Sequence, residues 1–323
     1  MRLLKLVPDN TNIDFMRWRN FALVLSIVAT LASIALVATR GLNLGVDFVG
    51  GQLVRVTFDR PADLEGIREN VGALGLGDVS IQESGGPNTV SIRTPLPEGD
   101  EAAASRAATR IQNAVRAVDP SARFDAVETV SGKVSDELYK SGALAIGLAM
   151  LGIAIYIWFR FEWQFGVGAL TTLFHDVAMT MGFFALTQLE FNLNVVAAIL
   201  TIVGYSLNDT VVIYDRIREN LRKFRKMEIV PLLNLSLNET LSRTIVTSVS
   251  IMLALLILVL LGPDVIFGLS IAILLGIFIG TYSSIYISAP ILVWLGVGPD
   301  SFLTTGNAKD AKVERVGADG ARA

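Results

Sequence analysis

Asn208 and Asp209 lie inside an apolar run, Leu193–Tyr214, that then ends in a burst of Lys and Arg. A carboxylate in hydrocarbon costs about 3 kcal/mol unless it is paired, protonated or turned toward water. The chemistry open to such a group is binding and releasing a proton. Arg243, near the start of the next apolar run, is the natural counter-charge. Asp209 shares a helix face with Ile202 and Tyr205 on one side and with Ile213 and Arg216 on the other. Thr172, Asp176 and Thr180 follow each other at steps of four, with His175 beside Asp176. Glu239, Arg243, Thr247 and Ser250 form another stripe, which is expected to point into a helix bundle rather than at lipid. Three polar-striped helices side by side can hold water and pass protons, through Asp209, Arg243, Asp176 and His175. A plainer reading stands beside this one. Asp209 and Arg243 can be a structural pair that fixes helix register, and His175 can be a hydrogen-bonded packing side chain as readily as a relay.

Composition sets the frame. The 323 residues are 52% hydrophobic and 18% charged, which is the balance of a polytopic membrane protein. A net charge of -3 gives no sign of nucleic-acid binding, and the chain has no cysteine and one histidine. Disulfides, thiolate metal sites and a multi-histidine metal site within one copy are therefore excluded. No phosphate-binding loop, nucleophile elbow or zinc-protease motif is present, so neither an enzyme nor a cofactor is expected, with protons the only coupling ion.

Six apolar runs must position these residues. Residues 1–20 are polar and basic, and a first span occupies 21–39, with Phe21–Ala38 its apolar core. That run is longer than the apolar part of a signal peptide, which favours a retained anchor over cleavage. Residues 40–139 hold much of the charge and read as strand, helix, strand, strand, helix, strand, with Arg123–Val130 as the last strand. That order is the split βαβ pattern of a ferredoxin-like α+β (βαββαβ) domain. Residues 140–298 supply five more spans: Ser141–Phe159, Phe165–Leu186, Leu193–Tyr214, Thr244–Leu261 and Val265–Leu295. Pro290 is expected to end or bend the last. Gly276 and Gly280 make a small-xxx-small packing motif. Arg160 and the basic stretch from Arg216 to Lys226 lie in alternate connections, whereas 188–192 and 262–264 hold no Lys or Arg. By the positive-inside rule both termini are cytoplasmic and the α+β domain periplasmic. Asp215, Arg216, Arg218 and Glu219 then sit at the interface. The Asn-x-Ser/Thr triplets at Asn208, Asn234 and Asn238 read as coincidence, and 299–323 as a disordered cytoplasmic tail.

Several motifs together resemble the SecD/SecF protein-export membrane proteins, of the resistance-nodulation-division superfamily. They are Leu44-Gly-Val-Asp-Phe-Val-Gly-Gly51, His175-Asp176, Gly204-Tyr-Ser-Leu-Asn-Asp209-Thr, Asp215-Arg-Ile-Arg-Glu-Asn220, Glu239-Thr-Leu-Ser-Arg243-Thr and Gly280-Thr-Tyr-Ser-Ser284. The short first outer segment fits the SecF side of that family better than the SecD side. The resemblance implies a subunit of the Sec export machinery in the bacterial inner membrane, forming a twelve-span assembly with SecD beside the SecYEG translocon, with YajC as a further associate. It implies use of the proton-motive force to complete translocation of a preprotein that the ATPase SecA has started. Asp209 and Arg243 would belong to the proton path, with a further carboxylate from SecD. Asp47, Gly50 and Gly51 would shape the periplasmic joint, where glycine permits a hinge. Two other functions are compatible with the residues: a non-energised subunit that braces the translocon, and a half-sized proton-coupled small-molecule exporter.

Overall fold

A computed structural model describes residues 8, 11–97, 101–125 and 127–298. The polar tail 299–323 and most of the first ten residues lie outside that set. A 3₁₀ turn, Phe15–Trp18, leads into α1, Arg19–Arg40. Helical structure thus starts ahead of the apolar run at Phe21, and Phe15 and Met16 are themselves buried. After α1 come a one-turn helix α2, Val46–Val49, and strand β1, Gly51–Thr57. Helix α3 (Leu64–Gly72), strands β2 (Ser80–Glu83) and β3 (Thr89–Thr94), helix α4 (Glu101–Val118) and strands β4 (Arg123–Phe124) and β5 (Glu128–Val130) complete the α+β domain.

Its sheet runs β2-β3-β1-β4, with every neighbouring pair antiparallel and β5 also on β1. This is the ferredoxin-like arrangement, in which each βαβ unit is split by a strand of the other. One difference separates it from the sequence expectation. The final strand is two pieces. Val56 pairs with Phe124, but Leu53 pairs with Glu128, so one extra residue is taken up between them. Such a bulge bends the strand and increases its local twist. The apolar face of the sheet, with Val54, Val56, Val90 and Ile92, buries against Ile67 of α3 and Ile111 of α4.

The membrane part contains α5 (Gly132–Arg160), α6 (Trp163–Thr187), α7 (Leu193–Lys223), α8 (Ile229–Leu261), α9 (Phe267–Tyr286) and α10 (Ser288–Trp294). With α1, and with α9 and α10 counted as one span, six helical stretches among the described residues can cross a membrane. The last is interrupted at Ile287. Pro290 explains the break: it has no N–H for the Tyr286 carbonyl, and its ring crowds that turn. Placed in the first turn of α10, it is tolerated.

Gly50 and Gly51 join α2 to β1 with φ of 72° and 118°. A Cβ on Gly51 would stand 2.6 Å from the Thr94 carbonyl oxygen of the neighbouring strand. Gly51→Ala is therefore expected to destabilise the α+β domain by about 1–3 kcal/mol, seen as a lower denaturation midpoint or faster proteolysis within 51–130. Gly41→Ala, at φ 71° but with nothing within 4 Å, should cost less in the same assay.

Candidate functional site

On α6, Thr172, Asp176 and Thr180 are all buried. The two threonine hydroxyls donate within their own helix, to the carbonyls of Gly168 (2.9 Å) and Asp176 (2.8 Å). Asp176 is 0% exposed and is served from three helices. Its Oδ1 lies 2.9 Å from His175 Nδ1, and its Oδ2 accepts from Ser206 Oγ on α7 and from Ser283 Oγ on α9 (3.0 Å). Small residues permit this approach. A Cβ on Gly276 would lie 2.4 Å from Ile202, and one on Gly280 would lie 3.2 Å from Ser206 and 3.6 Å from Asp176 Oδ2. The imidazole of His175 also lines an apolar groove with Ser26, Ile27 and Trp294, near Tyr282, whose hydroxyl donates to the Ala22 carbonyl (3.1 Å).

Asp209 is different. It is 4% exposed, and its Oδ2 is buried with no hydrogen-bond partner, as is Thr210 Oγ1. One turn away, Tyr205 lies 3.2 Å from Ser248 of α8, which in turn accepts from Thr281 of α9 (2.8 Å). The charge of Arg243 reaches Asp209, but the two are not among the ion pairs of the described residues. Arg243, Glu239 and Ser250 sit on the exposed face of α8, and Thr247 is half-buried. The expectation that this stripe faces into the bundle is thus corrected. The inward stripe is Ser236, Thr240, Thr244 and Ser248, all buried. Leu232, Leu233, Leu237 and Leu241 fix that choice, since their burial leaves the arginine face outside.

Farther along α7 the charged helix end is held by ion pairs. Arg160 forks onto Asp215 (2.8 and 3.0 Å), and Arg218 reaches Glu162 (3.1 Å). Asn220 donates to Ser236 (2.9 Å) and Glu239 (2.7 Å). Two of the asparagine triplets have a structural task that their spacing did not reveal. Asn238 exchanges hydrogen bonds with both backbone groups of Ile13 (2.9 Å each). Asn234 accepts from Met16 N (3.0 Å) and donates to Asp14 (2.8 Å), so the two asparagines clasp the segment ahead of α1 onto α8.

At the other end of α7, Asp47 Oδ2 accepts from Leu193 N (2.8 Å) and caps the helix N-terminus. Leu44 bridges to Phe191, Gly45 N donates to Phe191 O (2.9 Å), and Phe191 N donates to Asn43 O (2.8 Å). The glycine joint is thereby tied to the outer end of the helix that carries Asp209. Of the residues singled out from sequence, His175, Asp176, Gly276 and Gly280 meet in one cluster. Asp209 lies on the α8 side of α7, and Asp47, Gly50 and Gly51 form the joint. Ser206, Thr281 and Ser283 fall within the family-like motifs but carry no role in the sequence reading, and Ser248 falls outside them, its one signal being a small hydroxyl within an apolar run.

A family profile described as "Protein export membrane protein SecD/SecF, C-terminal" matches residues 110–298, and one described as "SecD/SecF GG Motif" matches residues 35–62. The chain belongs to the SecD/SecF family of protein-export membrane proteins. It is 43% identical over 300 residues to protein translocase subunit SecF of Cereibacter sphaeroides, covering 91% of this chain and 93% of that one. It is also 43% identical over 290 residues to the SecF of Rickettsia rickettsii, covering 90% and 94%. Within the family the chain is therefore of the SecF type, the protein translocase subunits of the Sec export machinery. The fold matches the crystal structure of SecDF, a translocon-associated membrane protein from Thermus thermophilus, with a TM-score of 0.81 at 31% identity. That match covers 90% of this chain but 40% of the SecDF chain.

Gly276→Val tests the packing that brings Asp176 to its partners. The added atoms meet the branched part of Ile202, so α7 and α9 must part, at a cost of about 1–3 kcal/mol. A lower melting temperature in detergent is the expected readout.

Proposed function

We propose that this chain works with a SecD-type partner to draw preproteins across the bacterial inner membrane, with Asp209 as the group that binds and releases the driving proton. The observation that carries this reading is the buried, unpartnered Asp209 Oδ2 within a membrane-spanning bundle. A carboxylate so placed can be held neutral by a proton or ionised under the field of a nearby cation. Arg243 is that cation, and it lies on a face left uncovered in the single chain, where a carboxylate of the partner would meet it. The SecDF structure, one chain that includes a fold like this one, supports association with SecD. SecYEG, the translocating preprotein and YajC are further partners in this reading.

The geometry suggests how the coupling runs. Asp176, with His175, holds α6, α7 and α9 together and forms the fixed wall of the path. Ionisation of Asp209 strengthens its attraction to Arg243, and protonation removes it. Either change acts on α7, whose outer end is tied through Asp47 to the joint of the α+β domain. One charge moved through 100 mV is worth about 2.3 kcal/mol, enough to bias two orientations a few kcal/mol apart. The Lys and Arg near the ends of α5 and α7 support cytoplasmic termini and a periplasmic domain over about 40–139.

Asp209→Asn, measured in vesicles with SecD and the translocon, should leave assembly intact. It should reduce gradient-stimulated export about tenfold or more, to the level seen without a gradient. Arg243→Ala should do the same, and Arg243→Lys should retain part of the stimulation. Gradient-stimulated export that survived Asp209→Asn would refute the proton role and leave the bracing function.

A further inference from the structure

The α+β domain is seated on the membrane helices by more than its connecting chain. Thr89 donates to Asp264 Oδ2 (2.7 Å), in the turn ahead of α9, and Asn43 Nδ2 donates to Gln82 on β2 (2.9 Å). Arg93 on β3 donates to the Leu44 carbonyl. Among these contacts lies a polar cavity of about 40 Å³. Arg55, Gln82 and Ser91 line it from the sheet, and Glu190, Asn192 and Asp264 from the connections between membrane helices. That volume holds about three or four waters at roughly 10–15 Å³ each. Ser91, only 7% exposed, presents a buried hydroxyl to it that has no protein partner, as expected where water completes the bonding.

Glu190 is the acid held at this seam. It lies in the connection between α6 and α7, next to Phe191, the residue paired with Leu44. Gly45 passes so close beneath it that a Cβ there would stand 2.7 Å from Glu190 Oε1. The charged groups around it come from every element packed at the seam. Arg55 on β1 is already paired with Glu128 on β5, and Arg93 on β3 is engaged with the Leu44 carbonyl. Glu83 on β2 and Asp264 ahead of α9 line the same cavity. Burial outweighs the pull of the two arginines and of the Asn192 side chain, and the Glu190 carboxyl is pushed above the usual carboxylate range. An acid that holds its proton more tightly when the seam is closed makes closure tighter when protonated. The seam should therefore be firm at low pH and weaken as pH rises through the raised value.

We propose that Glu190 is a second proton-responsive site, a latch that seats the α+β domain on the membrane helices when neutral and loosens it when ionised. This goes beyond the role given to Asp209. The latch opens to the aqueous side that bears the α+β domain, through its own cavity, and needs neither a partner nor a membrane potential.

Hydrogen exchange of the full chain in nanodiscs tests it, read at segments 43–49 and 189–193 and corrected for the intrinsic pH dependence of exchange. In the wild type, protection should fall as pH rises through the raised value, by no more than about tenfold per pH unit, the limit for one titrating group. Asp209→Asn silences the proton path and should keep a pH response at these segments. In that background Glu190→Gln should stay protected and flat with pH, so the latch and the proton path can fail separately. Thr89→Val, which removes one docking bond, should lower protection at every pH while keeping the response. Wild-type protection that is flat or rises with pH would overturn the proposal. So would loss of the response in Asp209→Asn, or a response that survives when Glu190→Gln is added to Asp209→Asn.

Discussion

A carboxylate inside a helix bundle must be hydrogen-bonded, charge-balanced or neutral, and the two acids here meet that requirement in opposite ways. Asp176 is fully served, by His175 on its own helix and by serines on α7 and α9. Each bond reaches a different element, so none of the three helices can slide without breaking one in a medium that offers no replacement. Asp209, one turn along α7 from Ser206, has no such set of partners. One helix thus presents a clamped residue and an unclamped acid in neighbouring turns, and this contrast separates what stays fixed from what can respond.

Close packing makes the clamp possible. Without a hydrophobic drive between helices in lipid, association depends on surfaces that approach closely and on bonds across them. Gly276 and Gly280 let α9 lie against Ile202 and Ser206 of α7. The hydroxyl chain Tyr205–Ser248–Thr281 adds α8 to the same assembly. At its far end α7 is capped by Asp47, from the segment that turns through Gly50 and Gly51 into the sheet. A single helix is therefore in contact with the bundle centre and with the base of the α+β domain, and a shift in one is felt at the other as a change in end contacts.

Much of this was legible in the residues. Apolar runs long enough to span are the strongest signal a membrane sequence carries, and all six became helices. The α+β order followed from alternation and turn residues. The split of the last strand left a faint trace, since alternation breaks at Ala126-Val127 and at Glu128-Thr129, but no glycine marks the bulge. The facing of α8 was misjudged for a physical reason. Two polar stripes run beside each other on that helix, and the charged one drew attention, while the leucines buried the hydroxyl one. Contacts between distant segments left no periodic trace, which is why the capping by Asp47 and the seam around Glu190 emerged only from the fold.

The clasp formed by Asn234 and Asn238 has a consequence for biogenesis. Its two halves are separated by 225 residues between Ile13 and Asn238, so the segment ahead of the first span waits for one made 225 residues later. At about 5–20 residues per second, that wait is roughly ten to fifty seconds. Throughout it Phe15 and Met16 lack the α8 surface that later covers them. Closure of the clasp therefore marks the moment at which the fifth span has arrived, and a nascent chain stalled before that point would keep an apolar end open to chaperones and proteases.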